Sequence, residues 1–154
     1  MQRALTVKSA NTWDHAQAVD RVVLDADERH RRRVVLKGES GMIFMLDLPR
    51  PVMLKDGDGL VLEDSTMVQV VGRPETLVAI TAASSEELTR LAWHIGNRHI
   101  DMQIIGSELR IRRDHVIEDM LLGLGAHLEP VEAAFCPEGG AYDDREGGHA
   151  FPHA

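Results

Sequence analysis

The sequence predicts an α+β chain: a small all-β domain over residues 1–73, a β-α-β-β-α-β domain over 74–136, and a flexible tail over 137–154. Three observations predict it. Up to Val71 the apolar residues come in short, often β-branched runs separated by turn formers. Around Arg73-Pro74-Glu75 the period changes, and helical stripes appear between strands. From Cys136-Pro137-Glu138-Gly139-Gly140 onward the chain is polar and glycine-rich, with little to bury.

In the first part the strand runs are Ala4–Val7, Arg21–Leu24, Val34–Leu36, Met42–Leu46, Leu60–Leu62 and Met67–Val71, each too short for a helix. Asp56-Gly57-Asp58-Gly59 reads as a hairpin turn, and Pro49 and Pro51 as a break before Val52-Met53-Leu54. The same aspartates resemble the start of a calcium loop, but no third ligand and no terminal glutamate follow at the required spacing. Arg29-His30-Arg31-Arg32-Arg33 is basic, yet Glu28 and aspartates precede it and no aromatic residue interleaves. It reads as a solvated strand start or a protein-docking edge, and not as a nucleic-acid contact.

In the second part Leu77–Thr81 reads as a strand. Ser84-x-x-Glu87 is a capping box, followed by Leu88, Leu91, Ala92 and Ile95 on one helical stripe. Gly96-Asn97 reads as the helix stop. Met102–Ile105 and Leu109–Arg112 alternate across Gly106-Ser107 as a hairpin. Asp114 caps a second helix with Ile117, Met120, Leu121 and Leu124 on one face and Gly125 at its end. Leu128–Ala134 supplies a last strand, and the resulting order is the ferredoxin-like split βαβ arrangement.

Charge narrows the partners. Residues 1–73 balance eleven basic against eleven acidic side chains, whereas residues 74–154 carry six and fourteen, so the second half supplies the whole net charge of −8. An acidic half repels nucleic acid and attracts cations or basic protein surfaces. No apolar run is long enough to span a membrane, and the N-terminus lacks a secretory segment. A single cysteine, Cys136, excludes an internal disulfide, and a reducing cytoplasm is the expected compartment. No nucleophile–base arrangement and no phosphate loop stands out, so an enzyme is not expected.

The histidines carry what chemistry there is. His94 and His99 are five residues apart, which is not a helical ligand pair, and His94 reads as a packing residue. His99 leaves the C-terminal end of the first helix, where backbone carbonyls favour cations. It suits either a metal ligand or a hydrogen-bonded surface histidine, and the residues alone leave both open. A twofold axis near it would supply the same imidazole twice. His115, after the Asp114 cap, reads as a packing residue before a secondary metal contact. His149 and His153 in the tail could fold back on a metal.

Five segments of this chain are similar to the UreE family of urease accessory proteins, which are nickel metallochaperones. They are Leu46–Arg50, Leu54–Leu60, Trp93-His94-Ile95-Gly96-Asn97-Arg98-His99, Arg110–Met120 and Pro137–Tyr142. Gly-Asn-Arg-His followed by Asp-His-Val-x-x-Asp-Met is the specific part. The resemblance implies a peptide- or partner-binding β domain and a ferredoxin-like metal-binding domain. It further implies a homodimer that holds Ni²⁺ between the His99 side chains of two subunits, with tail histidines His149 and His153 as further ligands. Zn²⁺ and Cu²⁺ are the competing ions, since imidazole accepts all three. The implied partners are the urease accessory GTPase and the urease apoprotein, which receives the metal. This tail has no histidine run and Arg113 stands where some relatives have histidine, so the resemblance implies neither nickel storage nor a secondary site beside His115.

Overall fold

A computed structural model of the chain describes residues 1–140. These form two compact units, one built on Met1–Arg73 and the other on Pro74–Glu138.

The first unit is a six-stranded sheet. Its strands are β1 (Arg3–Lys8), β2 (Ala18–Leu24), β3 (His30–Lys37), β4 (Ile43–Met53), β5 (Gly59–Leu62) and β6 (Met67–Gly72), in the spatial order β2-β6-β5-β1-β4-β3. The β2–β6 and β1–β4 pairs are parallel and the rest antiparallel. Period-two alternation sets the inner face. In β4, Phe44, Leu46 and Leu48 are buried while Ile43 and Asp47 point the other way. The buried set joins Ala4, Val22, Leu60, Val68 and Val70 in one core.

Two expectations for this unit change. Pro49 and Pro51 do not end a strand, because β4 runs through both. The irregularity appears instead as a shift in register, with Arg31 opposite Val52 and Arg33 opposite Asp47, so that the proline segment bulges where it has no N–H to offer. Asp56–Gly59 is a turn, with Gly57 at φ +90°, but not a hairpin, because β1 lies between β4 and β5. The Asp56 carboxylate accepts the Gly72 N–H at 2.8 Å and that of Asp58 accepts the Lys55 N–H at 2.8 Å. Both aspartates thus brace backbone, in keeping with the missing calcium spacing.

A single helical turn, α1 (Ala26–Arg29), was not foreseen. Asp25 and Glu28 form a reciprocal capping box, the Glu28 N–H donating to Asp25 at 2.8 Å and the Asp25 N–H to Glu28 at 2.9 Å. This turn draws Arg29 into the interior, where its guanidinium donates to the carbonyls of Leu24 and Leu54. The basic run is therefore split: Arg29 is core, and His30–Arg33 form the exposed start of β3.

The second unit runs β7 (Pro74–Thr81), α2 (Ser85–Gly96), β8 (Gln103–Ile105), β9 (Glu108–Arg112), α3 (His115–Gly123) and β10 (His127–Ala134). Its sheet order is β10-β7-β9-β8 with every neighbouring pair antiparallel, which is the ferredoxin-like arrangement. Central β7 buries the unbroken run Leu77–Ile80, as a strand covered on both faces must. Leu91 and Ile95 of α2 and Leu121 of α3 pack on Val78, Ile80, Leu109 and Ile111. Leu124, expected on the buried stripe, is exposed. It caps α3, and Gly125 at φ +89° then turns the chain so that Ala126 enters the core instead. Among the described residues no helix is long and apolar enough to cross a membrane.

Candidate metal centre

The Ser84 hydroxyl starts α2 by accepting the Glu87 N–H at 3.1 Å. Its apolar stripe then fixes the rotation of the helix, leaving Trp93 64% exposed and Ile95 buried. Trp93 meets His94 edge-to-face, ring centroids 5.0 Å apart, so the half-buried His94 is a packing partner of the indole. That agrees with its expected role.

The helix ends at Gly96 with Asn97 as its cap, as the Gly96-Asn97 signal predicts. Gly96 is still helical, and Asn97 stays in the right-handed region at φ −67°. The final bonds shorten to 3-10 type, Arg98 N–H to the Ile95 carbonyl at 3.1 Å and His99 N–H to that of Gly96 at 3.0 Å. His99 itself makes the left-handed turn, at φ +57°. Two residues after Asn97, the histidine occupies the backbone position that glycine commonly takes. Sequence reading had no signal for this, because Gly96-Asn97 looks like a complete stop. Ile100 then packs against the core cluster, so His99 stands exposed between two anchored isoleucines.

Charge around this end is arranged by Arg98 and Asp101. Arg98 donates to the His94 carbonyl at 3.1 Å, placing a guanidinium on the negative helix end. Asp101 pairs with Arg112 at 3.3 Å, and Arg112 also binds Glu75 at 2.9 Å and lies 4.9 Å over the Phe135 ring. No carboxylate is assigned to His99 by these contacts. Among the described residues no three His, Cys, Asp or Glu side chains come together as a metal cage.

His115 corrects its expectation. It opens α3 exposed, and so is not a packing residue. The order here lies in its neighbours. Asp114 accepts the Val116 and Ile117 N–H groups, while Glu118 accepts the Asp114 N–H at 2.8 Å and pairs with Arg113 at 2.9 Å. Burial raises the Glu118 pKa, but the Arg113 hydrogen bond and charge and the Asp114 N–H outweigh it and hold the carboxyl below its ordinary value. Arg113 is thus engaged with Glu118. His149 and His153 lie outside the described residues.

Comparison with known proteins covers nearly the whole chain. The family model described as UreE urease accessory protein, N-terminal domain, matches residues 2–72, and that of the C-terminal domain matches residues 75–154. A urease accessory protein UreE of Rhodopseudomonas palustris strain BisB18 is 54% identical over 142 residues, covering 92% of this chain and 67% of its own. That of Bradyrhizobium sp. strain BTAi1 is 51% identical over 153 residues, 99% of this chain and 73% of its own. The protein of Beijerinckia indica is 46% identical over 142 residues, 92% and 82% of the two chains.

Proposed function

The chain belongs to the UreE family of urease accessory proteins, which gives it a role in urease maturation, and from that premise we propose that it is a nickel metallochaperone. Two copies associate so that their His99 side chains share one Ni²⁺, which passes to the urease apoprotein with the urease accessory GTPase as partner. The protein works in the cytoplasm and turns over no substrate of its own. The 1–73 unit binds partners, and 74–136 handles metal.

The observation that carries this reading is the placement of His99. It is exposed at a helix end, held by backbone between buried Ile95 and half-buried Ile100, and among the described residues it belongs to no cluster of three or more potential ligands. One imidazole holds a divalent ion weakly, and a symmetric second copy supplies the missing ligand. The exposed indole of Trp93 on the same helix end offers apolar surface of the type that subunit interfaces cover. His149 and His153, or water, fill the remaining positions. Such an incomplete site suits a carrier, since the ion must leave it. Zn²⁺ and Cu²⁺ compete for the same imidazoles.

Calorimetric titration with Ni²⁺, run beside sedimentation, tests this. The parent chain should take up nickel as a dimer, and His99→Ala should lose most of the affinity. Unchanged affinity and stoichiometry in the variant would sink the assignment.

A further inference from the structure

Nickel handling leaves one motif unused, the basic run that opens β3. β3 is the outermost strand of its sheet, paired with β4 alone, so its other side presents backbone N–H and C=O groups with no strand beside them. Arg31, Arg32 and Arg33 stand exposed along this edge. Among the described residues Arg31 and Arg32 make no ion pair, and Arg33 reaches Asp47 only at 3.9 Å. This concentration of positive charge belongs to a chain whose net charge is −8.

The outer face of the same strand pair carries apolar side chains among its charged Arg33, Lys37 and Asp47. Val35 lies opposite Met45, and Ile43 lies opposite Lys37, which places Val35 and Ile43 diagonally across the ladder. Each is 52% exposed. Arginines alone would be explained as guards against edge-to-edge aggregation. Guarding does not account for two solvent-facing β-branched side chains beside them. An open ladder, cationic side chains and alternating apolar positions are together what strand addition uses: backbone bonds supply affinity and alternate side chains supply selectivity.

We propose that β3 accepts an extended acidic segment of a protein partner as an added strand. Its carboxylates meet Arg31, Arg32 and Arg33, and its alternate apolar side chains lie beside Val35. The proposal is independent of the nickel reading, because no residue in it is a metal ligand.

Fluorescence anisotropy of the full chain with a short labelled peptide alternating glutamate and valine tests it. Binding is expected, weakened roughly tenfold by the double variant Arg31→Gln, Arg32→Gln, weakened by Val35→Glu, and abolished when alternate peptide nitrogens are methylated. Both arginines are exposed, and a parent-like circular dichroism spectrum confirms that the variant folds. Absence of binding, equal binding of the methylated peptide, or equal binding by the double variant would each overturn the proposal. So would tighter binding of a single-stranded oligonucleotide, which would make the edge a nucleic-acid surface. Nickel titration of the same variants should match the parent, keeping the two readings separable.

Discussion

His99 holds its backbone at φ +57°, where an L side chain crowds its own carbonyl. Glycine would relieve this, so His99→Gly should raise stability by about 1 kcal/mol while nickel affinity falls. Thermal denaturation beside nickel titration checks both, and a destabilised variant would show that the imidazole has a structural task. Asp20 is the corresponding residue of the first unit. Its buried carboxylate accepts the N–H groups of Arg21, Ser40 and Met42, and so fastens the loop between β3 and β4. Burial raises its pKa, but these backbone donors prevail and hold it below the ordinary aspartate value. Gly38 lies directly over it, and a Cβ there would overlap the carboxylate. Gly38→Ala should therefore cost about 2 kcal/mol, the range for overpacking a tight site, read as a lower denaturation midpoint. Neither Asp20 nor Gly38 was legible as important, because the contact joins residues eighteen positions apart.

At the scale of elements, both the starts and the stops of α2 and α3 are legible in their neighbouring residues. Ser84 and Asp114 cap α2 and α3 as expected, since a cap is made by the residues adjoining it. Gly96-Asn97 ends α2 as its stop chemistry predicts, whereas the left-handed turn falls on His99, which carries no such signal. The start of α3 supports a further test. Glu118 joins Arg113 and the Asp114 N–H, so Glu118→Gln should destabilise by about 1–2 kcal/mol, the value of charge-assisted hydrogen bonds. Because the folded pKa is depressed, the stability Glu118 contributes is complete above its unfolded value. It is lost as pH falls through the depressed folded value. Denaturant midpoints measured down an acid series should fall less steeply in the Gln variant. Parallel slopes for the two proteins would refute the account.

For the whole molecule, the proposed site exists only between copies, so nickel binding and association are thermodynamically linked. Nickel should stabilise the dimer of the parent chain and have little effect on that of His99→Gly, a difference visible by sedimentation at limiting concentration. The tail is a separable contribution. Replacing His149 and His153 together by alanine should weaken nickel binding while leaving association through His99 intact. Full loss in that variant would move the centre of the site into the tail.

Apart from the short α1, periodicity and capping by themselves determined the kind and order of the elements, down to the β-α-β-β-α-β sequence of the second unit. Alternation and helical stripes are written over a few neighbouring residues, and there the chain can be read locally. Family motifs pointed to His99 as a ligand where periodicity alone favoured a hydrogen-bonded interface or surface histidine. Tertiary structure decided what depends on distant partners: β1 entering between β4 and β5, Arg29 drawn inward while Arg31–Arg33 stay at an edge, and His115 left exposed. Among the described residues it also brought no group of three or more His, Cys, Asp or Glu side chains together as a metal cage, at His99 or elsewhere. Sequence spacing cannot report such an outcome, because a ligand set is assembled by packing across the fold and not by proximity along the chain.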